Sequence, residues 1–98
     1  MADNVSHPRH YADTCSLECI EAMRIAFGKE AIISFCKCNA FKYLWRYKNK
    51  NGAEDLQKAK WYCEYGLSLL FNVDYRNEDV KVFNEIIDFI KEKAEDIQ

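Results

Sequence analysis

Gly52 separates two helical patterns of apolar residues, and this break constrains the fold more than any other feature of the chain. One pattern runs over about residues 30–48 and the next over about residues 53–71. The connection over residues 49–52 is so short that the two helices must lie side by side and antiparallel. The sequence therefore predicts a helical hairpin.

Two further helices are predicted, one on each side of the hairpin. A first helix over residues 17–27 ends at Gly28, and Asn77 has the side chain of an N-cap for a fourth helix. The apolar seam of the fourth helix repeats every three or four residues, as a heptad does, so it is expected to pack on its own core or on another chain. Its residues are Val80, Phe83, Ile87, Ile90, Ala94 and Ile97.

No segment shows the alternation of a strand, which predicts an all-α fold. We expect one domain over residues 1–98, a small bundle of about four helices. It divides into an extended N-terminal arm (1–15), a core (16–71) and a C-terminal helix (72–98).

The two hairpin helices each have a second, polar and aromatic face. On the second helix the polar face is predicted to carry Asn39, Lys42, Tyr43 and Arg46, and the core face Phe41, Leu44 and Trp45. On the third helix, Lys58, Trp61 and Tyr65 lie on the side away from the core stripe. Since a domain this small cannot cover every such surface, a homo-oligomer is expected.

Charge and composition restrict the ligands and the location of the protein. A net charge of −2 and a pI near 5.7 argue against general nucleic-acid binding, which depends on excess Lys and Arg. The five cysteines have no metal-finger spacing, and neither a signal sequence nor a run of 18 apolar residues is present. The expectation is a cytoplasmic protein with free thiols and no membrane association.

Phosphate binding would have to use side chains, because the three glycines cannot form a P-loop or a dinucleotide fingerprint. Lys42 and Arg46, one helical turn apart, can clamp phosphate oxygens. The alternatives are a merely solvated basic face or a structural ion pair between Arg46 and Glu54 or Asp55. Glu54 and Asp55 are also the candidate ligands of a magnesium ion, although carboxylates favour the start of a helix for purely electrostatic reasons.

Four short motifs together resemble a known family. They are Pro8-x-His10-Tyr11, Glu18-Cys19-Ile20-Glu21, Asn39-x-x-Lys42-Tyr43-Leu44-Trp45-Arg46-x-Lys48 and Gly52-x-Glu54-Asp55-Leu56-x-Lys58-Ala59-x-Trp61-Tyr62. In this combination, over residues 8 to about 66, the chain resembles the phage-encoded nucleotide kinase-like (SaV-like) family. Podophage members of that family, which are longer than this chain, phosphorylate deoxynucleoside monophosphates without a P-loop.

The resemblance implies a phage nucleotide-binding protein acting in the cytoplasm of an infected bacterial host. Its implied activity is that of a deoxynucleoside monophosphate kinase. A magnesium ion held by Glu54 or Asp55 would help to neutralise the phosphates, and because 98 residues can hardly enclose two nucleotides, the site is expected between subunits. The nucleotide- and phosphate-binding candidates are His10, Tyr11, Asn39, Lys42, Tyr43, Arg46, Lys48 and Lys58.

Three other functions stay open on the sequence. The protein could sequester a nucleotide, such as a host defence signal, without catalysis. It could be a helical inhibitor that contacts a host protein through the seam of the fourth helix. It could also be an all-α nucleotide pyrophosphohydrolase with a magnesium cluster at Glu18, Glu21, Glu54 and Asp55, although Gln57 interrupts the expected second E-x-x-D motif.

Overall fold

A computed structural model describes residues 17–74 and 76–97, which form four α-helices and contain no strand. The helices are α1 (Leu17–Phe27), α2 (Lys29–Arg46), α3 (Ala53–Ser68) and α4 (Glu78–Ile97), and a 3-10 turn, Tyr47–Asn49, follows α2. The predicted all-α bundle is thereby confirmed for this part of the chain. The predicted arm with His10 and Tyr11 lies outside the described residues.

The helix ends follow from local residue chemistry. Gly28 has a φ of 95°, which favours glycine, and its N–H donates to the Arg24 carbonyl at 2.8 Å. Asn77 caps α4 as predicted, since its Oδ1 accepts the N–H groups of Asp79 (2.8 Å) and Val80 (3.3 Å). Helix α3 ends three residues before the predicted position, where the backbone tightens into bonds between residues three apart.

Helix α3 is the centre of the bundle. It forms the largest contact with α2, packs against α4 on another side, and is linked to α1 through Tyr65. Only a narrow stripe of α3 faces solvent, and its members are Ala53, Gln57, Lys60, Glu64 and Ser68. A helix covered on several sides buries residues that a one-stripe pattern assigns to the surface.

This central position overturns part of the predicted exposure. Trp61 and Lys58 were expected on an outer face of α3, but they are only 6% and 8% exposed. On α2 the prediction was right for Lys42 and Leu44 but wrong for the aromatic residues, because Tyr43 is buried whereas Phe41 and Trp45 are 59% and 79% exposed. Turning Tyr43 inward lets it pack on Tyr62 of α3, and this rotation moves Phe41 and Trp45 outward.

The heptad-like seam of α4 is used inside the chain. Val80, Phe83 and Ile90 are buried, and the Phe83 ring lies directly against Gly66 of α3. A Cβ at position 66 would come within 2.6 Å of Phe83 Cε2, so glycine permits this close approach. None of the helices described here is both long and apolar enough to cross a membrane.

Candidate functional site

Three positive groups surround the ring of Tyr43 at the closed end of the α2–α3 hairpin. Lys42 Nζ, Arg46 Cζ and Lys58 Nζ lie 4.6, 5.2 and 5.4 Å from the ring centroid. Each distance falls in the range of a cation–π contact. Helical spacing brings Lys42 and Arg46 to Tyr43, and the antiparallel hairpin adds Lys58 from α3. We call these four residues the Tyr43 cluster.

The Tyr43 cluster has an excess of positive charge. Arg46 Nε donates to Asp55 Oδ2 at 3.2 Å, whereas within residues 17–74 and 76–97 no carboxylate pairs with Lys42 or Lys58. Three cations within 5.4 Å of one point repel each other, because their separations are comparable to the screening length of about 8–10 Å. The arrangement is therefore electrostatically complementary to an anion.

Lys58 is the least solvated of the three cations. It is 8% exposed, and among the described residues its ammonium group has only the Tyr43 ring as a partner. Lysine is seldom buried unless its charge is paired. An aromatic face compensates only part of the lost hydration.

Asp55 holds the guanidinium of Arg46 in place. Its carboxylate is completely buried and accepts three donors: Arg46 Nε, the Asn51 backbone N–H at 3.2 Å and Asn51 Nδ2 at 3.3 Å. As the third residue of α3, it reaches back to the chain ahead of the helix in the manner of a capping box. The ion pair weighed as an alternative for Arg46 is thus present with Asp55. Asn51 was not among the site residues predicted from the sequence, and this capping pattern is the one signal that could have indicated it.

The other candidates lie at varying distance from this arrangement. Asn39 is on the same face of α2, one turn before Tyr43, and its amide donates to the Phe35 carbonyl at 3.0 Å. Lys48 is exposed in the 3-10 turn, and none of the described contacts joins it to the Tyr43 cluster. Glu54 is half-buried at the start of α3.

A second polar cluster links α1 to α3. Tyr65 OH donates to Glu21 Oε2 at 2.8 Å, and Arg24 Nη2 donates to Glu21 Oε1 at 3.0 Å. The hydrogen bond from Tyr65, followed by Arg24, lowers the pKa of Glu21, while burial and the Glu21 carboxylate raise the pKa of Tyr65 to about 12. Trp61 stacks on Tyr65 with ring centroids 5.5 Å apart. We call these four residues the Glu21 cluster.

The carboxylates of the described residues do not form a large cluster. Within the described ranges, no group of three or more His, Cys, Asp or Glu side chains is placed to hold a metal ion. Glu21 is bonded to Tyr65 and Arg24, and Asp55 to Arg46 and Asn51. A magnesium ion at Glu54 and Asp55 stays a prediction. The four-carboxylate cluster expected for a pyrophosphohydrolase is not formed. Among the cysteines of the described residues, Cys38 is an exposed and Cys63 a buried free thiol.

Comparison with known proteins places the chain in a family. No curated protein matches it, and no solved structure matches it. The model of the family described as "Protein of unknown function (DUF3310)" matches residues 5–64, a segment that contains every residue of the Tyr43 cluster together with Asn51 and Asp55. Because the matched segment makes up more than half of the chain, the chain belongs to the DUF3310 family.

Proposed function

We propose that this protein binds a nucleotide and holds its phosphate groups at the Tyr43 cluster. The observation that carries the proposal is Lys58, an almost fully buried lysine whose ammonium group has no carboxylate partner among the described residues. A phosphate oxygen beside Lys58 supplies the missing counter-charge. The excess positive charge of the Tyr43 cluster then stabilises the bound phosphate.

Arg46 is suited to contact the same phosphate. Asp55 engages only its Nε, which orients the guanidinium plane and leaves the two terminal nitrogens to donate to a ligand. Lys42 is exposed beside the same ring and supplies a third charge at the entrance to the site. A polyanion meets all three groups, whereas a neutral ligand leaves them unpaired.

The charges of the Tyr43 cluster support a ligand with phosphate groups. That this ligand is a nucleotide is inferred from the resemblance to the nucleotide kinase-like family. Phosphoryl transfer requires mainly positioning and charge neutralisation. A deoxynucleoside monophosphate kinase is therefore the activity to test first at this site. Nucleotide sequestration uses the same contacts and differs only in the absence of product.

The test is equilibrium binding of nucleoside mono-, di- and triphosphates, with the parent nucleosides as ligands that lack phosphate. We expect nucleotides to bind and nucleosides not to bind. Lys58→Met should weaken binding about ten- to a hundredfold, the range for one charge-assisted hydrogen bond. Lys60→Met is the matched control, because it removes the same charge two residues away on the solvent side of α3, where Lys60 is 4.0 Å from Glu64.

Arg46→Lys should also weaken binding, since a point charge cannot replace a two-pronged donor. Arg46→Ala is less informative, because it also breaks the bond to Asp55. Product analysis with added magnesium separates the activities: new diphosphates indicate a kinase, released pyrophosphate a hydrolase, and unchanged bound nucleotide sequestration. A folded Lys58→Met protein that binds nucleotides as tightly as the parent would refute the proposal, and so would a parent protein that binds none.

A further inference from the structure

One face of α2 remains apolar and exposed after the four helices have packed. Its members follow one another at intervals of four, three and four residues, so they share a stripe along the helix. They are Ser34, Cys38, Phe41 and Trp45, and we call them the α2 stripe. The rings of Phe41 and Trp45, 59% and 79% exposed, contact each other with centroids 5.9 Å apart. Adjacent exposed aromatic rings of this kind mark an interaction surface.

The two halves of the α2 stripe differ in the size of their side chains. Its first half carries the small residues Ser34 and Cys38, and its second half the large residues Phe41 and Trp45. Suppose that a second α2 runs antiparallel, with the two-fold axis between Asn39 and Ala40. Each layer of the contact, meaning one residue of each chain facing the other, then pairs a small residue with a large one. Ser34 then faces Trp45 of the second copy, and Cys38 faces Phe41. A parallel arrangement instead sets ring against ring and small against small, which leaves clashes and gaps.

A cavity lies beside Ser34, the residue that the antiparallel arrangement sets opposite Trp45. It has a volume of about 510 Å³ and opens beside Ser34, between the first turns of α2 and the segment that connects α3 to α4. Ile33, Leu70 and Val73 contribute the apolar part of its lining, and Lys29, Glu30, Ser34, Asn77 and Asp79 the polar part. The cavity therefore has room for the ring of Trp45 from a second copy, with apolar side chains to pack on it and oxygen atoms of Ser34 and Glu30 to accept the indole N–H.

We infer that the α2 stripe is the contact surface of an antiparallel homodimer, in which Trp45 of each chain enters the cavity beside Ser34 of the other. A two-fold contact of this type requires a self-complementary surface, and the small and large halves of the stripe provide one. Aromatic side chains bury about 150–250 Å² each, so the four rings supply several hundred of the roughly 1,200 Å² that a specific interface needs. The cavity walls and neighbouring side chains contribute the remainder. The inference does not depend on nucleotide binding.

This surface differs from those on which the expected homo-oligomer was based. Trp61 and the apolar seam of α4 were the predicted contact residues, but Trp61 and the seam residues Val80, Phe83 and Ile90 are buried within the chain. The α2 stripe replaces them because Tyr43, and not Trp45, turns toward the core.

The test is a residue exchange followed by sedimentation equilibrium at micromolar concentrations. Trp45→Ser removes the large partner from both outer layers, and Ser34→Trp places two indoles in the same layer. Each single change should raise the dimer dissociation constant at least about tenfold, as expected for the loss of a buried aromatic anchor. The double variant Ser34→Trp/Trp45→Ser restores one small and one large residue in each layer and should recover the dimer.

The exchange is informative because residues 34 and 45 cannot touch within one chain. Eleven residues of α-helix separate them by about 16 Å. Recovery in the double variant therefore reports a contact between chains. Ile25→Ser is the matched control: Ile25 is 79% exposed on α1, outside the α2 stripe and the cavity lining, and its loss should leave the dimer unchanged.

A measurement on the unaltered protein gives a second test. Trp61 is buried and Trp45 exposed in the single chain, so acrylamide quenching of tryptophan fluorescence reports mainly on Trp45. Quenching should increase on dilution as dimers dissociate. A parent protein that is monomeric at every concentration, with Trp45 fully quenchable, overturns the inference. So does a folded double variant that stays as weakly associated as the single ones.

Discussion

The Tyr43 and Glu21 clusters use the same three kinds of residue in opposite ways. Each has a tyrosine and an arginine that is bonded to a carboxylate, which is Glu21 in one cluster and Asp55, beside the cluster, in the other. Each joins α3 to a neighbouring helix. In the Glu21 cluster one carboxylate meets one arginine and one hydroxyl, so the charges balance. Around Tyr43 lie three cations, and among the described residues only Arg46 is bonded to a carboxylate, the buried Asp55. The first arrangement needs no ligand, whereas the second leaves charge for one.

Solvent exposure separates the two clusters further. The side chains of Arg24 and Glu21 are 39% and 46% exposed, so water screens their ion pair and limits its contribution to stability. Asp55 is completely buried and Lys58 nearly so, which makes each of their contacts more consequential. Two clusters of similar residues can therefore be assigned different roles only once the burial of their side chains is known.

The largest expected effect is the loss of Asp55. Asp55→Ala leaves the Asn51 donors and the Arg46 guanidinium without their acceptor and increases the repulsion among the cations. Because Arg46 itself is 35% exposed, we expect the free energy of unfolding to fall by about 2–3 kcal/mol, near the lower limit for breaking a buried pair. Urea denaturation measures the change.

Two variants make this comparison sharper. Asp55→Asn keeps an acceptor for Asn51 but removes the charge, so its stability should lie between those of Asp55→Ala and the parent. Glu21→Ala should cost clearly less than Asp55→Ala, since its ion pair is exposed. Equal losses for Glu21→Ala and Asp55→Ala would contradict the distinction between the clusters.

A smaller effect of opposite sign is expected at Lys58. Lys58→Met retains most of the buried aliphatic chain and removes an ammonium group with no carboxylate partner among the described residues. The free energy of unfolding should rise by about 1 kcal/mol in the absence of ligand, because the cost of burying the charge disappears. Arg24→Met, the equivalent change in the Glu21 cluster, should not stabilise the protein. A marked loss of stability in Lys58→Met would show that Lys58 is a structural cation.

The smallest effect concerns pH and the Tyr65–Glu21 bond. The pKa of Tyr65 is raised to about 12, above the ordinary value near 10, so the folded state holds the phenolic proton more tightly than the unfolded state. This contribution to stability is complete below about pH 10 and is lost as the pH rises toward 12. The pKa of Glu21 is lowered, chiefly by the bond from Tyr65, so its contribution is present above about pH 4.5 and is lost on acidification.

Tyr65→Phe tests this pH dependence with other titrating groups held constant. The parent should have the higher melting temperature near neutral pH, and the difference between the two proteins should narrow at both about pH 3 and about pH 11. A difference that stays constant from neutral to alkaline pH would mean that the hydroxyl does not stabilise the fold through Glu21.

Much of the fold could be predicted because it depends on neighbours in the chain. Gly28 and Gly52 have positive φ values and Asn77 caps the helix that follows it, so three helix boundaries were found within a residue or two. Lys42 and Arg46 were grouped with Tyr43 by the period of a single helix. The sequence by itself thus determined the helices, the antiparallel hairpin and most of the basic face.

The tertiary structure decided which faces are covered. Because α3 lies between α2 and α4 and is bonded to α1, Trp61 and Lys58 are buried on a side that its own pattern assigns to solvent. Packing of Tyr43 against Tyr62 turns Phe41 and Trp45 outward. The reason is that hydrophobic periodicity reports how amphipathic a helix is, whereas the number of neighbours around it depends on residues far away in the chain.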